Sequence, residues 1–186
     1  TLQLLAAAEN YPFNLGEGKL EGTQENDIHF LKGLAYDLSG NKDEAMIYFH
    51  LAAHGISEPA QAIFYNDPQP DKIFYQGLAW IKLGRNKKAI ETFQRLIDFG
   101  KTHRNDVITI DYFAVSLPDL LVFDADLNLL NKVHCLYLMG LGHMGLGQED
   151  LKKAQEYFNQ VLKLDINHQG VLTHQSMIPY MSLFGH

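Results

Sequence analysis

In the stretch AMIYFHLAA, Ala45, Phe49, Ala52 and Ala53 recur three and four positions apart, so they fall on one face of a helix. Reading the chain this way predicts helices at about 1–10, 24–38, 42–54, 71–83, 86–103, 126–146, 150–164 and 169–184. A Gly-rich loop, NLGEGKLEG, follows the first helix. Thr23 is placed to cap the helix at 24–38 through its hydroxyl. Pro70 suits the first turn of the helix at 71–83, where a missing N–H costs nothing. A short helix is expected around 59–65, followed by a Pro-punctuated turn. Residues 107–123 are the exception: twelve of the seventeen are apolar, yet they follow neither helical nor strand period.

The pattern repeats. Gly33, Tyr36, Gly40, Ala45, Phe49 and Ala52 occupy the same intervals as Gly77, Trp80, Gly84, Ala89, Phe93 and Leu96. A third set follows at Gly140, His143, Gly147, Ala154, Phe158 and Val161, with two extra residues between Gly147 and Ala154. Small residues at the Gly33 and Ala45 positions let two antiparallel helices approach closely. Large ones at Tyr36 and Phe49 fill the space beside those contacts. Gly40 suits the left-handed position that ends a helix. Each unit is then a helical hairpin that must stack on neighbours to bury its apolar stripe.

These positions resemble the tetratricopeptide repeat: a Trp/Leu-Gly-Tyr cluster on helix A, then Ala, Phe and Ala on helix B. The resemblance implies an all-α fold, a right-handed superhelix of three imperfect hairpins with flanking helices and two long inserts. The expected organisation is one unit over 1–186. Its repeats lie at about 26–56, 70–103 and 130–166, with an insert at 104–125 and a capping helix at 169–184. The glycines lie 44 and then 63 residues apart, against a family period of about 34. In the third copy, His143 replaces the usual aromatic and the turn is longer, which leaves its interhelical angle open.

A narrower resemblance rests on NLGEG, QENDIHF, FYNDPQPDKIFYQGLA, DYFAVSLPDLLVFDADLN and HCLYLMGLGHMGLG. These phrases look like the C-terminal repeat region of large bacterial proteins that carry an aldose-epimerase-like β-sandwich. That likeness implies a helical appendage of a carbohydrate-handling parent.

Composition narrows the function classes. Fifteen Lys and Arg against 22 Asp and Glu give a formal charge of −7, which argues against a nucleic-acid footprint. The basic patch at Arg85, Lys87 and Lys88 reads as a solvated turn. No apolar run is long enough to span a membrane. Cys135 is the single cysteine, so no intrachain disulfide forms. It sits among apolar neighbours and reads as an inert buried thiol. The opening TLQLLAAAEN lacks an initiator Met and a signal pattern, which points to a piece of a longer protein. A cytoplasmic location is the expectation.

Motifs that could carry chemistry fail on context. Gly140, Gly142 and Gly145 spell G-x-G-x-x-G, with Asp165 twenty residues on. A dinucleotide site needs a strand before those glycines, and here they fall inside the repeat register. His50 and His54 share a face, but zinc wants further ligands. Asp124, Asp126 and Asn128 begin a calcium loop that then meets Leu129 and Cys135 where Gly and Glu belong. The aspartates read more simply as caps for the helix that follows. No nucleophile elbow, zincin motif or Walker loop is present. The chain is therefore expected to be non-catalytic, with no cofactor and no metal.

The groove is the candidate site. In tetratricopeptide arrays, helix-A positions 2, 5, 9, 12 and 13 usually line the concave face. The resemblance places Asp27, Phe30, Leu34, Asp37 and Leu38 there from the first copy, and Asp71, Phe74, Leu78, Ile81 and Lys82 from the second. His134, Tyr137, Leu141, Met144 and Gly145 follow from the third. The candidates singled out are Asp27, Phe30, Asp37, Phe74, Lys82, His134 and Tyr137.

Position 5 is aromatic in all three copies. Such a ladder either grips an apolar helix or peptide or packs against the long inserts. The acidic Asp27, Asp37 and Asp71 argue against clamping of a peptide carboxylate. Residues 107–123 are expected to lie against the concave face between the second and third copies. The function expected is protein–protein or domain–domain interaction. A helical border to a carbohydrate site in another domain, or self-association, are the alternatives.

Overall fold

A computed structural model describes residues 1–12, 14, 16, 18–19, 23–61, 69–108 and 126–184. Among the described residues, eight α-helices run in order: α1 Leu2–Ala8, α2 Asn26–Leu38, α3 Lys42–Ala52, α4 Pro70–Lys82, α5 Asn86–His103, α6 Leu127–Leu146, α7 Leu151–Leu164 and α8 Gln169–Met177. A 3₁₀ helix continues α8 over Ile178–Phe184. Among the described residues there is no strand. Helices pair as hairpins α2–α3, α4–α5 and α6–α7. The hairpins stack through α2 against α4, α4 against α6, and α5 against α6. The fold is all-α, as the apolar periodicity predicts.

The hairpins close through glycine and phenylalanine. A Cβ on Gly33 would stand 2.7 Å from the Phe49 ring, one on Gly77 2.3 Å from Phe93, and one on Gly140 2.4 Å from Phe158. These distances lie well inside van der Waals contact, so each ring sits where only a hydrogen leaves room. Phe49, Phe93 and Phe158 are buried, as are Ala45, Ala89 and Ala154, which let the second helix approach. The repeated spacing is thus a repeated knob and hole.

Turns between paired helices are set by Gly40, Gly84 and Gly147, whose φ values are 85°, 70° and 99°. In the first two, the chain reverses with a six-residue hydrogen-bonded loop. Asn41 N donates to Tyr36 O at 2.9 Å, and Arg85 N donates to Trp80 O at 2.8 Å. In the third, the two extra residues are absorbed by a 3₁₀ turn at Gln148–Asp150.

Buried amides tie the units together. Asn26 Nδ2 donates to Ala52 O at 2.8 Å and to His54 O at 2.7 Å, closing its own hairpin. Gln76 Nε2 reaches Ile56 O at 2.9 Å, and Asn131 Nδ2 reaches His103 O at 2.8 Å. Both of the latter span from one hairpin to the chain leaving the one before. Ala52 and His103 are the last residues of α3 and α5, where carbonyls lack intrahelical partners, and these amides supply them.

Several expectations are corrected. The helix expected from 24 begins at Asn26, with Glu25 rather than Thr23 at its cap position. Asn26 has turned inward to serve the end of α3. The helix expected over 169–184 is α-helical only to Met177; Pro179 lacks an N–H, and the backbone tightens to 3₁₀ geometry there. Asp126 caps α6, accepting from Asn128 N at 3.0 Å and Leu129 N at 3.1 Å. The segment 109–125, with Asp124, lies outside the described residues, as does most of the short helix expected at 59–65.

Gly140, Gly142 and Gly145 lie inside α6. Gly140 faces Phe158 of α7. A Cβ on Gly142 would meet Phe93 O at 2.7 Å, and one on Gly145 the Phe93 ring at 2.2 Å. All three therefore let α6 press between its neighbours. Cys135 is fully buried, and burial pushes its thiol up to about 12, with Asp106 adding to the effect. It is a poor nucleophile in this setting.

Candidate functional site

The face lined by α2, α4 and α6 carries the aromatic ladder. Phe30 and Phe74 are fully buried and Tyr137 nearly so. What covers them is the 169–184 segment. Phe184 meets Phe30 edge-on, with ring centroids 5.7 Å apart. His174 meets Phe74 edge-on at 5.3 Å. His168 lies 4.7 Å from the Tyr137 ring, and His174 5.8 Å from it. Each rung is thus covered by a residue of one continuous stretch.

Local sequence explains how the stretch docks. His168 caps α8, its Nδ1 accepting from Val171 N at 3.1 Å. Gly170 lets α8 approach, since a Cβ there would stand 2.5 Å from the Tyr137 hydroxyl. His174 Nδ1 donates to Gly170 O at 2.7 Å and lies 3.0 Å from the Tyr137 hydroxyl. The carbonyl can only accept, so the ring proton is on Nδ1. Nε2 is left buried without a partner. Further along, the Tyr75 hydroxyl donates to Met177 Sδ at 3.5 Å, and Met181 is fully buried.

The charged candidates form the rim. Lys72 Nζ pairs with Asp27 Oδ2 at 2.6 Å. Asp37 is paired with Lys42, and its other oxygen lies 3.6 Å from Lys82 Nζ. The hydrogen bond from Lys42 holds the Asp37 carboxyl below its ordinary range. Lys82 Nζ also donates to Leu183 O at 2.7 Å. Asp27 and Asp37 on this face are therefore each matched by a lysine.

Six of the seven candidates, Asp27, Phe30, Asp37, Phe74, Lys82 and Tyr137, are brought together along this face. His134 is not. Its Nε2 donates to Ala60 O at 2.8 Å, and its ring meets Phe99 of α5 edge-on at 6.2 Å. The reason is length. α5 has 18 residues and α6 has 20, against 11 and 13 in the first hairpin, so the start of α6 packs on the extension of α5. Lys72, Tyr75, His174, Met181 and Phe184 belong to the arrangement and were not anticipated. The spacing of Ile178, Met181 and Phe184 was the available signal.

Among the described residues, no three His, Cys, Asp or Glu side chains are grouped to hold a metal. No described helix is long and apolar enough to cross a membrane. α3 ends at Ala52, so His54 lies beyond the helix that holds His50, and its Nδ1 donates to His50 O at 2.7 Å.

Residues 27–53 and 137–168 match one family model described as a tetratricopeptide repeat, and residues 73–98 match another of the same description. The three matches fall on the three hairpins. Each hairpin thus carries a segment similar to a tetratricopeptide repeat. No solved structure matches the chain. Tetratricopeptide repeats generally mediate protein–protein interaction and are typically non-catalytic scaffolds, because stacked hairpins present an extended inner surface.

Proposed function

We propose that the chain is a non-catalytic scaffold that binds a protein segment along the α2–α4–α6 face. It acts as one tetratricopeptide unit within a larger bacterial polypeptide, holding one domain against another or against a partner protein. The observation that supports this reading is the stretch of polypeptide already seated there, spanning Phe30, Phe74 and Tyr137. A face that accepts one polypeptide segment with aromatic, sulfur and lysine contacts has the chemistry to accept another.

The test is capture of partners from cells that express the parent protein, followed by identification by mass spectrometry. Lys72→Glu and Lys82→Glu reverse the charge at the rim and should cut capture at least tenfold. Lys87→Glu, on exposed α5 surface, should leave it unchanged. Equal capture by all three variants would refute the proposal. Light scattering on the same samples reads self-association.

The carbohydrate-bordering alternative finds little support at Trp80, the aromatic most suited to stack on a sugar. Lys88 Nζ lies 4.4 Å over its ring, and His54 meets it edge-on at 5.4 Å.

A further inference from the structure

We infer that residues 177–184 act as a displaceable ligand in cis, and that the α2–α4–α6 face binds in trans short segments of the same chemistry. Such a segment carries three apolar anchors three residues apart, the last aromatic, and a main-chain carbonyl for Lys82. The inference rests on the reading of this face as an interaction surface and names the kind of partner it fits.

Four observations carry it. The anchors Ile178, Met181 and Phe184 follow a three-residue period, and the 3₁₀ helix that holds them repeats every three residues. They therefore fall on one edge. Met181 and Phe184 are buried, while the intervening Tyr180 and Leu183 are 59% and 45% exposed. One edge binds and the other faces water, so the segment meets the face through its anchor side chains.

The polar contact that fixes this end in register is to the main chain: Lys82 Nζ donates to Leu183 O. A backbone carbonyl is common to all peptides, so the lysine selects position and not residue type. Lys82 is itself held by Asp37, which keeps the donor aimed at the face whether or not the segment is present.

The 3₁₀ helix is also the weaker kind of helix, with poorer hydrogen-bond geometry than α. Its second residue is Pro179, which supplies no N–H to the last carbonyls of α8. The hairpins beneath are closed by their own Gly–Phe contacts, none of which involves residues 177–184. The segment can therefore leave while the repeats stay folded.

The experiment uses the whole chain and a fluorescein-labelled peptide of sequence MIPYMSLF, which reproduces Met177–Phe184. Phe184→Ala removes the terminal anchor from the chain and leaves the face intact. Met181→Ala does the same one turn earlier and serves if the first variant is poorly soluble. Fluorescence anisotropy should show the peptide binding at least tenfold more tightly to either variant than to the wild-type chain. Hydrogen exchange should speed up over 171–184 and stay unchanged over α2–α7. A peptide ending in Ala in place of Phe should bind at least tenfold more weakly.

Equal peptide affinity for wild type and both variants, with exchange confirming release of the segment, would overturn the inference. That result would leave the capture experiment untouched, since capture reads whole partners and not this peptide. Conversely, tight peptide binding with no effect of the rim charges on capture would defeat the broader proposal and leave this one standing.

Discussion

The imidazole of His143 lies flat on the Tyr157 ring, centroids 5.5 Å apart and planes 11° apart, in the relation that Tyr36 bears to Tyr48 at 5.4 Å and 13°. The histidine therefore does the packing work of the aromatic it replaces, and the third hairpin keeps the pairing of the first despite its longer turn. Its Nδ1 approaches Asp150 Oδ1 only to 3.5 Å, too far for a good hydrogen bond. Burial holds its pKa below the ordinary histidine value. His143→Phe should keep stability within about 1 kcal/mol of wild type, since shape is conserved. His143→Ala should cost about 1–3 kcal/mol through the lost ring contact and cavity. Urea denaturation at pH 7.5 reads both.

Glycines at repeat positions do two different jobs, and substitution separates them. Gly40 has φ of 85° with nothing within 4 Å of a Cβ. Gly40→Ala should therefore cost about 1–2 kcal/mol from left-handed backbone alone. Gly40→Asn should recover part of that, because Asn tolerates the conformation. Gly140 has ordinary helical backbone, but its Cβ would meet Phe158 at 2.4 Å. Gly140→Asn should gain nothing over Gly140→Ala, and thermal melts of the four variants check the contrast.

The same contact predicts coupling. Gly140→Ala should overpack the hairpin at a cost of about 1–3 kcal/mol, and Phe158→Leu should cost a comparable amount by leaving a gap. Together they partly compensate, because the shorter side chain vacates the space the methyl needs. A double-mutant cycle should return an interaction of about 0.5–3 kcal/mol in the favourable direction. Strict additivity would mean the two residues do not share that space.

The hairpins were legible because their contacts are written within each repeat: Gly33 with Phe49, Gly77 with Phe93 and Gly140 with Phe158 recur at matched intervals. Turn glycines were legible for the same reason. What covers the inner face was not. Apolar periodicity shows that Phe30, Phe74 and Tyr137 share a face, yet it does not say which distant segment meets them. Phe184 lies far from Phe30 in sequence, and an edge of Ile178, Met181 and Phe184 describes its own surface and not its partner's. His134 was misplaced because a family register was carried onto a helix seven residues longer than α2. α5 is longer as well, and Phe99 on its added turns takes the His134 ring.

Asn131 offers a direct test of how hairpins are tied. Its Nδ2 donates to His103 O, and its Oδ1 lies 3.8 Å from Cys135 Sγ. Asn131→Leu keeps the branched heavy-atom shape but leaves the carbonyl at the end of α5 without that donor, at an expected cost of about 1–3 kcal/mol. Hydrogen exchange should show faster opening at the α5–α6 junction than in α2–α3. Uniform acceleration across the chain would argue that Asn131 contributes only bulk packing.

Acid should loosen the 169–184 segment before it unfolds the repeats. His168 and His174 both have pKa values lowered, and in both the leading cause is burial. Around His174 stand Asp71, Asp27 and Lys72, with Tyr75 and Tyr137 in ring contact; around His168 stand Asp165 and Tyr137. The carboxylates pull upward but do not outweigh burial.

The docked segment thus favours neutral rings, whereas the released segment takes up protons near the ordinary value of about 6.5. Docking keeps its full strength above that pH and loses it progressively as pH falls toward the lowered docked values. Protonation also has a geometric consequence at each ring. It removes the Nδ1 lone pair with which His168 caps α8. At His174 it places a hydrogen on a buried Nε2 that has no acceptor.

Hydrogen exchange corrected for its intrinsic pH dependence should therefore show amides 171–184 opening more at pH 5.5 than at pH 7.5, relative to α5. His174→Phe keeps a ring against Phe74 and removes the titration, so it should flatten that difference. A pH response equal in wild type and His174→Phe would assign acid sensitivity to other histidines. His168, whose Nδ1 caps α8, would then be the first to substitute.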